Sequence, residues 1–106
     1  MAIAGMTYIY DDPLGAKVNI ERITSDTTID NNKNEIFINT DSGDVVATLG
    51  AGYQGHRLRL VNTGTSGNQA HIDPDGTENL MGVNSRFSLL DGEALIIAFD
   101  EIDNWF

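Results

Sequence analysis

Apolar and polar residues alternate in short runs along most of the chain. Ile36 and Ile38 are separated by Phe37, and the run that contains Leu58 and Leu60 places an arginine on either side of Leu58. Successive side chains of a strand point to opposite faces of a sheet, so an alternation of period two predicts strands that bury one face. Because no segment repeats its apolar residues every 3.6 positions, we predict an all-β domain with negligible helix.

Turn-forming residues separate the predicted strands. Residues 41–44, Asp-Ser-Gly-Asp, predict one β-hairpin, and Asp91-Gly92, between the segments 87–90 and 94–99, predicts another. Glycine, asparagine and aspartate are frequent in turns because they adopt backbone conformations that other residues avoid. We therefore predict a compact antiparallel β-sandwich or barrel-like domain.

The segment 94–99 is apolar at consecutive positions. A strand that is apolar on both faces must be covered on both, which one layer of a small monomer does not readily provide. One interpretation is that a partner subunit covers the second face, which predicts oligomerisation. The alternative is that the strand is central in a two-layer sandwich and that an arm of the chain folds over it.

Residues 1–17 differ in composition from the rest and are predicted to form an extended N-terminal arm beside a single β domain at 18–106. Each large apolar side chain of the arm would cost about 1.5–3 kcal/mol if left in water. We therefore expect the arm to dock, either on its own domain or on a neighbouring chain. The predicted interface residues, from the arm and from the end of the chain, are Ile3, Met6, Tyr8, Ile9, Leu95, Ile97, Phe99 and Trp105.

Acidic side chains dominate the charge. The 106 residues include 16 acidic and 6 basic ones, with a formal net charge of -10. Such a surface repels nucleic acid phosphates and anionic lipid headgroups, so neither nucleic acid nor a membrane is an expected partner. The absence of cysteine removes disulfides and thiolate metal sites. No segment is apolar for long enough to span a bilayer, and the protein is expected to be soluble when expressed alone.

Residues 50–55, Gly-Ala-Gly-Tyr-Gln-Gly, match the glycine fingerprint of dinucleotide sites. That site needs a helix that begins at the third glycine, whereas the residues that follow alternate with the period of a strand. The glycines are therefore predicted to form a turn. No serine has the setting of a nucleophile elbow, and no pair of carboxylates is marked as acid and base.

Acidic loops suggest calcium sites, but their spacing is incomplete. In the loop that begins at Asp30, Asp41 is a possible twelfth-position ligand, but Glu35 stands where an EF-hand requires glycine. The group Asp73, Asp75 and Glu78 has similar weaknesses. The two histidines are isolated and are predicted to be solvated strand residues. We predict no catalytic residue, no metal and no cofactor, and we do not expect an enzyme.

The order of several motifs forms a recognisable pattern. A basic alternating strand at 55–61 is followed by a turn with Ile, Pro and Gly at 72–76, by a paired end at 87–97 and by Asp-Asn-Trp at 103–105. In this order the chain resembles small β modules of tailed-phage virion proteins, of the head-decoration, tail-spike or tail-fibre type. The resemblance extends over residues 23–106.

The resemblance implies a homotrimer with a structural role on the exterior surface of a virion, where it docks on capsid or tail proteins. We therefore expect a capsid-stabilising head-decoration protein or a fibre or spike module, without enzymatic activity. The alternative is a carbohydrate- or receptor-binding β module, in which a glycan stacks on Tyr8, Tyr53 or Trp105.

Overall fold

The computed structural model describes residues 19–100 and 102–106, and these residues form ten strands and no helix, which confirms the all-β class. The predicted arm at 1–17, with Ile3, Met6, Tyr8 and Ile9, lies outside the described residues. The strands are β1 (Ile20–Ile23), β2 (Thr27–Ile29), β3 (Glu35–Ile38), β4 (Val45–Leu49), β5 (Arg57–Asn62), β6 (Ala70–Asp73), β7 (Asn79–Leu80), β8 (Phe87–Leu89), β9 (Ala94–Ala98) and β10 (Asn104–Trp105).

The chain alternates between two four-stranded sheets. Sheet A has the order β1-β3-β5-β9, and sheet B has the order β2-β4-β6-β8. From β1 to β6 each strand lies in the sheet opposite to that of the strand before it, so the chain winds through three coils of a β-solenoid. Neighbouring strands from successive coils are parallel, because the chain returns to each sheet in the same direction.

This winding corrects the predicted antiparallel sandwich or barrel. Residues 41–44 lead from β3 in sheet A to β4 in sheet B, and Asp91-Gly92 leads from β8 in sheet B to β9 in sheet A, so neither turn closes a hairpin. The turn at Gly92 is itself present, with a φ of 77° that suits glycine. Corners of a solenoid and hairpin turns use the same residue types, so the sequence indicated the turns but not the strands that they join.

The last strands reverse direction and cover one end of the winding. β9 pairs antiparallel with β5, and β8 pairs antiparallel with β6. A small third sheet joins β10 to β7 in parallel. Backbone hydrogen bonds of 2.8 and 2.9 Å between Ala98 and Phe106 place residue 106 beside β9. The coil of β5 and β6 is therefore covered by strands of the opposite direction.

Inward positions of both sheets form the core. The four residues that the alternation placed inward, Ile36, Ile38, Leu58 and Leu60, are at most 3% exposed. Trp105 is fully buried. The other buried apolar residues are Ile23, Ile29, Val45, Ala47, Leu49, Ala70, Ile72, Leu80, Leu89, Ile97 and Phe99. Burial of this apolar surface is the main favourable term in folding, since the chain has no cysteine to cross-link.

The buried side-chain amide of Asn62 joins the corner between the sheets to the covering strand β8. Asn62 Oδ1 accepts hydrogen bonds from the Thr40 hydroxyl at 2.8 Å and from the Gly64 amide at 2.9 Å. Asn62 Nδ2 donates to the carbonyl oxygens of Asn68 at 3.1 Å and Leu89 at 3.0 Å. Because every polar atom of this buried side chain is paired, the network fixes the corner instead of weakening the core.

Candidate functional site

The outer face of sheet A is the candidate functional surface. Its side chains alternate with the core residues of the same strands, so they point away from the interior. The strand register places Arg22, Phe37, Val61 and Ala94 in one row across the sheet. The outer face of sheet A comprises Ile20, Arg22, Glu35, Phe37, Arg57, Arg59, Val61, Ala94, Ile96 and Ala98.

One side of this face, along β9, is apolar and exposed. Ile96 is 69% exposed, although its neighbour Ile97 is 2% exposed and lies in the core. Phe106, which pairs with Ala98 through the backbone, is 59% exposed. Ala94 is exposed as well. A cluster of large apolar side chains in water is typical of an interaction site. Within residues 19–100 and 102–106, the second face of β9, which the sequence predicted to require a cover, is exposed at Ile96.

The same face carries positive charge on a strongly acidic molecule. Arg22, Arg57 and Arg59 are three of the 6 basic residues, whereas the chain has a net charge of -10. Glu35 is the acidic residue of the outer face, and its Oε1 lies 3.8 Å from Arg59 Nη1. This contact is solvent-accessible and weak. The outer face of sheet A is therefore suited to a partner that carries both apolar and acidic groups.

A shallow depression lies at the opposite side of the face, where β1, β3 and β5 end. It has a volume of about 470 Å³ and is lined by Arg22, Ile23, Thr24, Phe37, Asn39 and Thr63. Arg22 lies over the Phe37 ring, with its Cζ 5.3 Å from the ring centroid. Such stacking restrains the guanidinium while its N–H groups stay available for a carboxylate. We call this feature the Arg22 depression.

The loop between β9 and β10 presents the most exposed of the large apolar side chains described, Ile102, at 78%. Asp100 Oδ1 accepts the backbone N–H groups of Ile102 at 3.0 Å, Asp103 at 3.2 Å and Asn104 at 3.0 Å. These bonds, foremost that from Ile102, hold the pKa of Asp100 below its usual value. The charged carboxylate of Asp100 thus holds the backbone of residues 102–104.

An aromatic cluster occupies the end of the core near β10. The Tyr53 and His56 rings are stacked, with centroids 4.5 Å apart and planes at 9°. Trp105 packs edge-on against His56 at 5.1 Å and against Phe99 at 5.2 Å. His56 is only 3% exposed and its Nε2 lies 2.8 Å from the carbonyl oxygen of Lys33, so the expectation that it is a solvated strand residue is wrong.

Glu78 holds the loop before β5 to the same cluster. Its Oε1 accepts the Trp105 indole N–H at 3.2 Å, and both of its oxygens accept the Gly52 amide, at 3.2 and 3.1 Å. Gly52 is required here, because a Cβ at this position would lie 2.3 Å from the Phe99 ring. Gly52 of the apparent nucleotide fingerprint therefore has a packing role in a loop between two strands, whereas Gly55 has a φ of 80° that suits glycine.

The predicted interface residues of the C-terminal strands lie in the chain's own core. Ile97, Phe99 and Trp105 are 2%, 6% and 0% exposed, and Leu95 is half-buried against them. The predicted interface residues did not include Ile96. The alternation within β9 was the signal for it, because successive residues of a strand point to opposite faces and Ile97 points inward.

The acidic residues that suggested calcium act as anchors of turns. Asp41 accepts the Thr65 amide at 2.8 Å, and this bond lowers the pKa of Asp41. Asp73 forms two bonds with Arg86, at 2.8 and 3.0 Å, which lower the pKa of Asp73. Among residues 19–100 and 102–106, no three His, Asp or Glu side chains come together as a metal-binding group.

The sequence matches no known protein-family model, and no curated protein matches it. In the part of the chain that the structure describes there is no helix of the length and apolarity needed to cross a membrane.

Proposed function

We propose that this chain is a non-enzymatic structural module of a tailed-phage virion, of the head-decoration or the fibre and spike type. In this proposal it lies on the exterior of the particle, forms a homotrimer and docks on other capsid or tail proteins. The observation that carries the proposal is the outer face of sheet A, with exposed Ile96 and Phe106 and with three arginines on a molecule of net charge -10.

A trimer accounts for both properties of the face. Removing Ile96 and Phe106 from water stabilises the assembled state by about 1.5–3 kcal/mol for each side chain that becomes fully buried. In a three-fold arrangement the apolar side of β9 of each chain lies near the common axis. The arginines lie further from the axis, where acidic groups of a neighbour pair with them and set the register.

The mass in solution tests the proposal. We expect a particle of about 34 kDa, three times the 11.5 kDa of one chain, by light scattering after size-exclusion chromatography. Ile96→Asp should reduce the mass to that of one chain without changing the β spectrum, because Ile96 contributes nothing to the core. Thr28→Asp, at an exposed strand position of sheet B, is the matched control and should stay trimeric. A wild-type monomer at high concentration would contradict the trimer.

A second candidate function, carbohydrate or receptor binding, is supported by Tyr53. Tyr53 is 50% exposed and its ring stacks on His56, so one ring face is covered and a sugar would stack on the other. Trp105 is fully buried and does not offer a stacking surface, and Tyr8 lies outside the described residues. A glycan array with wild type and Tyr53→Ala tests this function: a glycan bound only by the wild type supports it, and an array without binding contradicts it.

A further inference from the structure

The Arg22 depression and the Ile102 loop carry opposite charges beside apolar side chains. The depression is lined by the apolar residues Ile23 and Phe37, with the positive charge of Arg22 over the Phe37 ring. The loop presents Ile102, 78% exposed, between Asp100 and Asp103. The Ile102 loop suits the Arg22 depression, because contact between them would bury the isoleucine side chain and pair its neighbouring carboxylates with the guanidinium.

The chain cannot fill its own depression with this loop. The depression lies at the ends of β1, β3 and β5, whereas the loop follows β9, at the opposite edge of sheet A. The strands are about 4.8 Å apart, so the two edges of a four-stranded sheet are separated by roughly 14 Å. A loop that Asp100 holds by three backbone N–H groups does not extend over that distance.

We propose that Ile102 of one copy inserts into the Arg22 depression of the next copy, with Asp103 beside Arg22. This inference rests on the proposed self-assembly and adds a second contact to the one that Ile96 and Phe106 make. The contact joins two different surfaces, one at each edge of sheet A, so it is heterologous. A heterologous contact closes into a ring when the rotation between copies is right, and three copies form the smallest ring beyond a pair.

The absence of cysteine in the natural sequence permits a direct test by cross-linking. In the double variant Thr24→Cys/Ile102→Cys, each contact should bring one cysteine of each kind together. Oxidation should then yield covalent trimers on a denaturing gel. An equimolar mixture of the two single variants should yield nothing larger than dimers, because each chain then has one cysteine.

Two controls make the cross-linking specific. Neither single variant alone should cross-link, since a heterologous contact does not place two identical residues together. The pair Thr28→Cys/Ile102→Cys, with one cysteine on the outer side of sheet B, should stay uncrosslinked. Cross-links in either single variant would indicate a self-facing contact and would overturn the inference.

Charge reversal gives an independent measurement. Arg22→Glu should weaken self-association at least about tenfold, and Arg22→Glu/Asp103→Lys should restore most of the loss, since removal of a buried ion-pair partner leaves the other charge unpaired. Arg86→Glu, at the residue before β8, serves as the control.

The outcomes separate this inference from the proposed trimer. A trimeric mass without the 24–102 cross-link and without an effect of Arg22→Glu would overturn the contact and leave the trimer standing. A wild-type mass of one chain at all concentrations would overturn both.

Discussion

At the residue scale, the buried residue Gly64 has no room for a side chain. A Cβ on Gly64 would lie 2.1 Å from Thr40 Oγ1 and 3.0 Å from Asn62 Oδ1, both of which belong to the buried amide network. The φ of Gly64 is outside the left-handed region, so the requirement for glycine at this position is steric and not conformational.

Gly64→Ala is expected to destabilise the domain by about 1–3 kcal/mol, because the new methyl group displaces the Thr40 hydroxyl from Asn62. Thr40→Ala removes the obstructing oxygen, so the double variant should lose less stability than the sum of the two single variants. Urea unfolding of the four proteins measures this coupling. Strict additivity would show that the network does not depend on the close approach.

Exposed carboxylates should make the stability depend on pH. Backbone N–H groups lower the pKa of Asp41, Asp44 and Asp100 below the ordinary 3.8, so the folded state favours their charged form. This stabilisation is complete above about pH 5 and is lost as the pH falls through 3.8 toward the lower folded values. We expect the melting temperature to fall over this range. Protonation of carboxylates also reduces the repulsion between negative charges, so Asp41→Asn/Asp100→Asn should be compared with wild type at each pH. The melting temperature of this double variant should fall less steeply than that of wild type as the pH is lowered.

At the scale of elements, two neighbouring residues of β9 are expected to have different roles, one in folding and one in assembly. Ile97→Asp should unfold the domain, because an unpaired buried charge costs several kcal/mol against a total stability of about 5–15 kcal/mol. Ile96→Asp, one residue away, should keep the cooperative melt and lose only self-association. Circular dichroism and solution mass on the two variants distinguish these effects. Equal stability of the Ile96→Asp and Ile97→Asp variants would contradict the placement of Ile97 in the core and Ile96 at the surface.

The sequence predicted the positions of the strands better than it predicted which strands pair with each other. Leu58 and Leu60 were placed inward from alternation alone, and both are buried. Alternation reports which face of a strand is buried, and it is the same in parallel and antiparallel sheets. The turns at 41–44 and at Gly92 do not distinguish a hairpin from a corner, which is why the solenoid was not predicted. The outer face of sheet A was even harder to predict, because Arg22, Phe37 and Ile96 become neighbours on one surface only through strand register.

At the scale of the whole molecule, the domain and its predicted arm should be separable. Deletion of residues 1–17 is expected to keep the β spectrum and the cooperative melt, because the residues from Ile23 to Trp105 already form an extensive apolar core. Self-association or binding to particles should weaken, if the arm docks on a neighbour. Comparison of full-length and truncated protein by thermal melting and solution mass tests this expectation. A truncated chain that unfolds would show that the arm belongs to the core of its own domain.

The order in which the strands pair has a consequence for synthesis. The coils from β1 to β6 connect residues that leave the ribosome close together in time, whereas β9 returns to β5 with residues 94–98 and β10 returns to β7 with residues 104–105. Trp105, which is fully buried, emerges after every other residue of the described core. Until β8 and β9 have emerged, the nascent coils lack the strands that cover β6 and β5, and contacts distant in sequence form slowly. The domain therefore gains its cooperativity late, and it is most open to aggregation before Trp105 has left the ribosome.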